Sequence, residues 1–83
     1  MLEVTIMSKM DCPLCDKAID LIRPLAEEVP FTMTITDIYK DDALLEKYQI
    51  MIPVILVNGE EVDFGQISKE KVRKRLLEIN RQI

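Results

Sequence analysis

The fold is decided near the N-terminus, by the stretch LEVTIMSKMDCPLCDKAIDLI over residues 2–22. Its first part, Leu2–Met7, is rich in β-branched and alternating apolar residues and predicts a strand. After a loop at 8–11, Pro13 stands where a helix begins, because proline is well tolerated at the first helical position. Apolar residues then recur at helical spacing, at Ala18, Leu21, Ile22, Leu25, Ala26 and Val29.

The middle of the chain predicts two further strands with a short helix between them. Pro24 interrupts the first helix, where we expect a kink because its ring clashes with the preceding turn. Phe31–Thr36 alternates strictly, which predicts a strand with one buried face. A short helix follows, capped by Asp41 or Asp42. Val54–Val57 is continuously apolar, as expected of a central strand covered on both faces.

The C-terminal part predicts a hairpin and a last helix. Asn58–Gly59 is a strong type I′ turn signal, so Glu61–Phe64 should return as an antiparallel edge strand. Ser68 is the expected cap of the last helix, with Ile67 and Val72 spaced as a hydrophobic staple. The inward stripe of that helix comprises Val72, Leu76, Ile79 and Ile83.

These elements give the order β-α-β-α-β-β-α within one α/β domain over residues 1–83. The first two strands should be parallel, because a helix connects them as a crossover. The hairpin then adds two strands of opposite sense. We therefore predict a four-stranded mixed sheet with helices on both faces.

Length and composition limit the classes of protein. With 83 residues and 9.6 kDa, the chain has room for one hydrophobic core. Its apolar fraction of 48% and charged fraction of 31% are typical of a globular domain. The longest apolar run, 50–57, contains Pro53 and is too short to span a membrane. Glu3 and Thr5 interrupt the N-terminal apolar stretch, so we expect no signal peptide and a cytoplasmic location.

The charge pattern gives no sign of a nucleic-acid partner. The net charge is −4, and most acidic residues lie outside the last helix. An acidic body argues against binding to phosphate backbones. The basic segment 69–81 could be a partner surface, but basic residues near a helix C-terminus also suit the helix dipole, and we favour that interpretation. Its six basic residues are Lys69, Lys71, Arg73, Lys74, Arg75 and Arg81.

Chemistry in this chain depends on its two cysteines. The chain has no histidine, which excludes Ser–His and Cys–His catalysis and every histidine metal site. Cys12 and Cys15 are too few for a structural zinc within one chain. A bridge between them closes so short a loop that it stabilises the fold by only about 2 kcal/mol. A redox pair is therefore favoured over a disulfide scaffold, half of a zinc ribbon or two incidental cysteines.

The two sulfurs have different predicted environments. Cys12 lies at the N-cap position, where its sulfur can accept from the backbone N–H groups of Leu14 and Cys15. These donors and the positive helix end favour the thiolate, and Lys9 can add a nearby positive charge. Cys15 lies one turn further on, on the apolar stripe. We therefore predict Cys12 as the nucleophile and a more buried Cys15 as the resolving thiol.

The motif Cys12–Pro13–Leu14–Cys15 follows Lys9 and is itself followed along the chain by Ile52–Pro53–Val54 and Asn58–Gly59. The chain resembles the glutaredoxins, most closely the small glutaredoxin-like proteins of bacteria and archaea, from Val4 to the last helix. Thioredoxins proper are a weaker match, because their Trp before the motif and their Gly–Pro between the cysteines are absent. The resemblance rests on Lys9, Cys12–Pro13, Cys15, Ile52–Pro53–Val54 and Asn58–Gly59.

The resemblance implies a thioredoxin-like fold and a thiol–disulfide oxidoreductase. It implies a cis bond before Pro53, with the backbone of Ile52 offered to an extended substrate. Pro13, Leu14 and Met51 would then border the substrate, with Lys9 as the counterpart of the family's glutathione-binding lysine. We expect the other methionines, Met7, Met10 and Met33, to fill the core.

Three departures bear on the substrate. Leu14 stands where glutaredoxins usually have Tyr, and Met51–Ile52 replaces Thr–Val. The segment Asp63–Phe64–Gly65–Gln66 replaces the Gly–Gly-containing segment that holds the γ-glutamyl end of glutathione. Since an acidic Asp63 facing the groove would repel a carboxylate, protein disulfides are expected to be better substrates than glutathione.

The predicted reaction needs neither a metal nor an organic cofactor. The reductant is expected to be glutathione or a thioredoxin-reductase-like enzyme, and the protein is expected to be a monomer without a membrane partner. Two other functions stay open at this point. Two protomers could share an iron–sulfur cluster through Cys12, or the chain could be a non-catalytic interaction domain whose cysteines sense oxidation.

Overall fold

The chain folds in the predicted order β-α-β-α-β-β-α in a computed structural model that describes residues 2–82. Ile83, predicted on the stripe of the last helix, lies outside the described residues. Short 3₁₀ segments occupy Arg23–Glu27 and Ile38–Lys40. The strands and helices are β1 (Leu2–Ser8), α1 (Pro13–Ile22), β2 (Phe31–Asp37), α2 (Asp42–Tyr48), β3 (Val54–Val57), β4 (Glu60–Phe64) and α3 (Lys69–Asn80).

The four strands form one mixed sheet in the order β2-β1-β3-β4. β1 is parallel to β2, as predicted for a helical crossover, and antiparallel to β3. Ser8 is paired with Asp37, Met7 with Val54, and Val54 with Phe64. These positions therefore lie together where β1, β2 and β4 end and β3 begins, and we call this end of the sheet the Ser8 edge.

The core consists of two apolar clusters on opposite faces of the sheet. All four residues of β3 are buried, which confirms the prediction of a strand covered on both faces. Burying a valine, leucine or isoleucine side chain contributes about 1.5–3 kcal/mol. The larger cluster, which includes residues of α1 and α3, comprises Leu2, Val4, Ile6, Ala18, Ile22, Leu25, Val29, Ile55, Val57, Ile67, Val72 and Leu76. The smaller one, on the face of α2, comprises Met7, Ile38, Tyr48, Val54 and Leu56.

Pro24 does more than kink the first helix. The α-helix ends at Ile22, and the chain continues as a 3₁₀ segment in which Pro24 occupies the first turn. Proline lacks the N–H group that would extend the α-helical ladder, and its ring crowds the preceding turn. Leu25 and Val29 are nevertheless buried, so the tighter segment still covers the larger cluster as the spacing predicted.

β2 is less buried than its alternating sequence predicts. Phe31 and Met33 pack against the larger cluster but are only partly buried, and Ile35 is 46% exposed. The reason is position, because β2 lies at the edge of the sheet and has a single neighbouring strand. The alternating pattern therefore predicted the strand correctly but overestimated how much of its apolar face is buried.

The hairpin between β3 and β4 contains an irregularity that the sequence did not reveal. Asn58 and Gly59 both have positive φ, at 51° and 83°, as a type I′ turn requires. The register then shifts between Ile55 and Leu56, which is the signature of a β-bulge. Because of this shift, Val62 packs on the larger cluster and Asp63 also lies on the α3 side of the sheet.

Side-chain caps begin α2 and α3. Asp41, not Asp42, caps α2, and its carboxylate accepts from the N–H groups of Ala43 and Leu44. Ser68 caps α3 as predicted, by accepting from Lys71 N at 3.3 Å. Across residues 2–82, no helix is both long and apolar enough to cross a membrane.

Candidate active site

Cys12 occupies the position that the sequence predicted, at the start of α1. The strand β1 ends at Ser8 on the Ser8 edge, and a short loop leads to Cys12, which has extended backbone angles. Its Sγ accepts a hydrogen bond from Cys15 N at 3.2 Å. The bond from Leu14 N that we also expected is not among the described hydrogen bonds. Cys12 is thus an N-cap residue whose capping atom is sulfur.

The two cysteines are joined as a disulfide across one turn. Their Cα atoms lie 5.2 Å apart. Cys15 is fully buried and Cys12 is 8% exposed, which agrees with the predicted difference in burial. Cys12 therefore keeps a small exposed surface, whereas Cys15 has none. The pair therefore lies at a helix start, as the cysteines of Cys-X-X-Cys motifs do.

Pro13 and Leu14 separate the cysteines in the first turn of α1. Pro13 is the first helical residue, as its lack of an N–H group allows. Leu14 is 41% exposed, although its neighbour Cys15 in the same turn is fully buried. It lies on the surface next to Cys12, where it can contact a bound molecule.

Lys9 lies in the loop before Cys12, at an open pocket. The pocket has a volume of about 310 Å³ and is lined by Lys9, Met10, Asp37 and Tyr39. The Asp37 carboxylate accepts a hydrogen bond from Tyr39 N at 2.9 Å, which joins two of the residues that line the pocket. Lys9 is exposed and takes part in none of the described ion pairs.

The segment Met51–Ile52–Pro53 leads into β3 at the same edge of the sheet. The Ile52–Pro53 bond is cis, as the resemblance implied. Met51 and Ile52 are partly buried against the smaller cluster, and Pro53 is buried. The N–H group of Gly65 donates to the carbonyls of Pro53 at 2.8 Å and Met51 at 3.1 Å.

The position of Asp63 corrects one prediction. Its carboxylate turns towards the start of α3, where it accepts from Ser68 N at 2.8 Å, and it also accepts from Phe64 N at 3.0 Å. Lys71 Nζ lies 3.5 Å from the same group. The expected repulsion of a substrate carboxylate by Asp63 therefore loses its basis, and the β-bulge in β4 is the reason.

Sequence reasoning missed three exposed apolar residues near the Ser8 edge. Met10 was expected in the core but is 78% exposed, and Tyr39 and Phe64 are 59% and 58% exposed. Met10 follows β1, Tyr39 follows β2, and Phe64 ends β4. The predicted parallel pairing of β1 with β2 was the signal that would have brought Met10 and Tyr39 together.

The described residues contain no evident metal site. Within residues 2–82, no group of three or more cysteine, aspartate or glutamate side chains is arranged to hold a metal ion. A CxxC pair alone supplies two sulfur ligands, fewer than the four that a structural zinc needs.

Most of the chain matches one known protein family. Residues 3–77 match the family described as "Glutaredoxin-like domain (DUF836)". The chain belongs to the glutaredoxin-like family. The match spans nearly the whole domain and includes Cys12, Cys15, Pro53 and the β3–β4 hairpin.

Solved structures support the thioredoxin-like fold of this glutaredoxin-like protein. A protein from Nitrosomonas europaea has a TM-score of 0.79 at 17% identity, with 89% of each chain covered. A protein from X. campestris has a TM-score of 0.71 at 26% identity, covering 90% of this chain and 96% of the other. A mutant thioredoxin from Halobacterium salinarum gives 0.69 at 17% identity, covering 93% and 73%. The fold and the Cys12–Cys15 pair together indicate a redox protein.

Proposed function

We propose that this glutaredoxin-like protein is a thiol–disulfide oxidoreductase that reduces disulfides in other proteins. The observation that carries the proposal is the position of Cys12, whose sulfur caps α1, accepts from Cys15 N and is bonded to the Cys15 sulfur. In the reduced protein, the same N–H group and the positive helix end favour a thiolate on Cys12.

The reaction proceeds by two exchanges. The Cys12 thiolate attacks one sulfur of the substrate disulfide, forms a mixed disulfide and releases the second substrate sulfur as a thiolate. The Cys15 thiolate then attacks Cys12 Sγ, forms the Cys12–Cys15 disulfide and releases the first substrate sulfur. Two electrons pass to the substrate, and each released thiolate takes up a proton according to its pKa.

Burial explains why the two cysteines do not exchange roles. Cys15 is fully enclosed, so a bulky disulfide cannot approach it, but it already lies within bonding reach of Cys12. A resolving thiol needs only that internal reach. Glutathione or a thioredoxin-reductase-like enzyme would then reduce the internal disulfide, in the reducing cytoplasm where we place this monomer.

The surface near Cys12 favours protein substrates. Met10, Leu14 and Phe64 are exposed apolar residues near the Ser8 edge, and Met51 is half-buried there. Burying such side chains against a partner contributes to affinity in proportion to the apolar area removed from water. An extended protein segment supplies that area, whereas glutathione is a small molecule with two carboxylates.

Ile52 offers its backbone N–H and carbonyl groups to the same extended segment. Among residues 2–82, its backbone N–H and carbonyl take part in none of the hydrogen bonds outside helices and strands. Extended peptides commonly bind by pairing their main chain with such free groups. Lys9 can hold one carboxylate of glutathione. Fewer backbone N–H groups remain for the other carboxylate, because those of Phe64 and Ser68 already donate to Asp63.

A steady-state comparison tests the substrate class. We expect a higher kcat/KM for a protein disulfide than for a glutathione mixed disulfide, with the same reductant in both assays. Leu14→Ser should lower kcat/KM for the protein disulfide more than for the glutathione substrate, with Asp20→Ala, an exposed change further along α1, as the control. Faster turnover of the glutathione substrate would contradict the preference, and no turnover of either would contradict the oxidoreductase itself.

A further inference from the structure

Asp63 is an acid whose side chain is nearly enclosed, since 11% of it is exposed. Each carboxylate oxygen has its own backbone donor, Phe64 N at 3.0 Å for Oδ1 and Ser68 N at 2.8 Å for Oδ2. Lys71 Nζ lies 3.5 Å from Oδ1. Hydrogen bonds to an ionised carboxylate are about twice as strong as neutral ones. Asp63 therefore joins the end of β4 to the start of α3.

The segment 64–68 between these two donors borders the cis-proline segment. Gly65 N donates to the carbonyls of Met51 and Pro53, on either side of Ile52. Phe64 is paired with Val54, the residue after Pro53, and leaves its ring exposed. Ile67 is buried in the larger cluster. The Asp63 carboxylate thus closes a loop that contains the exposed Phe64 and is hydrogen-bonded, through Gly65, to the proposed docking backbone.

We propose that Asp63 is a positioning residue for substrate docking. It does not touch the substrate. It holds Phe64 and Gly65 so that Phe64 stays beside the docking surface and Gly65 stays bonded to the segment carrying Ile52. This proposal rests on the oxidoreductase function proposed above, and it gives Asp63 the opposite role from the repulsive one that its charge first predicted.

Two substitutions remove the hydrogen bonds of the Asp63 carboxylate to different extents. Asp63→Asn keeps one carbonyl oxygen as an acceptor, but its NH₂ group cannot accept from the second backbone N–H. Asp63→Ala removes both acceptors. Glu61→Ala is the matched control on the same strand, because its carboxylate is exposed and lies 3.7 Å from the exposed Lys47 of α2.

We expect the defect to appear in KM for a protein disulfide. Loss of hydrogen bonds to a charged group predicts an increase in KM of roughly tenfold for Asp63→Ala and a smaller one for Asp63→Asn. The alkylation rate of reduced Cys12 should stay within about twofold of the parent, because the cap at α1 is untouched. Hydrogen exchange at the amides of Gly65 and Ser68 should accelerate in the same order.

The outcomes separate this proposal from the proposed function. An active parent with unchanged KM in both Asp63 variants would overturn the positioning role and leave the oxidoreductase intact. An equal fall in Cys12 alkylation and turnover would also overturn it, because the effect would then be a general loss of structure. If the Ala variant does not fold, the Asn variant decides by the same readouts. An inactive parent overturns the proposed function first.

Discussion

Helices α1 and α3 both begin near the Ser8 edge, yet their first turns are capped by different atoms. At α1 the acceptor is Cys12 Sγ, 3.2 Å from Cys15 N. At α3 the acceptor is Ser68 Oγ, 3.3 Å from Lys71 N, and the Asp63 carboxylate additionally takes Ser68 N. Both arrangements satisfy N–H groups that a helix start leaves unpaired.

Under the proposed function, the difference separates a reactive helix start from a structural one. Sulfur is a weak hydrogen-bond acceptor, so Cys12 is a poorer cap than Ser68. The same N–H groups and helix dipole that a cap serves also favour the negative charge of a thiolate. A sulfur at the N-cap therefore gives up some helix stability and gains reactivity, whereas α3 uses two oxygen groups and holds its loop firmly.

The largest expected effect comes from making α1 resemble α3. Cys12→Ser places an oxygen cap at α1, so the reduced variant should unfold within about 1 kcal/mol of the reduced parent. Its reduction of a protein disulfide should fall by about a thousandfold or more, because the attacking sulfur is gone. Denaturant unfolding and steady-state turnover measure the two effects. A variant that loses stability and activity together would break the distinction between the two helix starts.

A moderate effect is expected from weakening the cap of α3. Ser68→Ala removes the acceptor for Lys71 N and should lower the free energy of unfolding by about 1 kcal/mol. Cys12 should alkylate at an unchanged rate. Gln66→Ala, an exposed change in the same loop, is the control and should have an effect within about 0.5 kcal/mol. A change in Cys12 reactivity without loss of stability would show that the two helix starts are not independent.

The smallest effect is expected for a charge pair away from both helix starts. The Arg73 guanidinium donates two hydrogen bonds to the Glu28 carboxylate, and this lowers the pKa of Glu28 from its usual 4.5 despite an opposing effect of burial. A depressed folded pKa stabilises the fold above the unfolded value, and that stability is lost as the pH falls through the folded value.

Glu28→Gln should therefore lower the denaturant midpoint slightly at pH 7, and the difference should shrink at a pH below the folded pKa. Exposed ion pairs are screened by water and salt, so the effect should also diminish at high ionic strength. Glu27→Gln is the control, since that exposed neighbour takes part in none of the described ion pairs. A difference that grows in acid would contradict the assigned pairing.

The sequence was sufficient where the physics is local. The N-cap position of Cys12 follows from Pro13 and the apolar spacing after it, and the type I′ turn follows from Asn58–Gly59 alone. The parallel β1–β2 pair follows from a helical crossover. The cis bond at Pro53 came from the family resemblance, since spacing alone favoured a trans proline at a strand start.

The sequence was insufficient where a residue depends on neighbours distant in the chain. Simple alternation gives Val62 and Asp63 opposite faces, but a bulge against Ile55 and Leu56 places both on the α3 side. Ile35 has the right period for burial, but the edge position of its strand leaves it exposed. Neither the bulge nor the strand order is encoded in those residues themselves.

The central claim, that Cys12 is the sulfur that attacks a substrate disulfide, is tested most directly by trapping. Reduced Cys15→Ser protein is mixed with a protein disulfide and the product is mapped by mass spectrometry, with Cys12→Ser treated in parallel. We predict a covalent one-to-one complex joined through Cys12 and cleaved by a small thiol, and no complex from Cys12→Ser. A complex formed through Cys15 in the Cys12→Ser protein, with none from Cys15→Ser, would contradict the assignment.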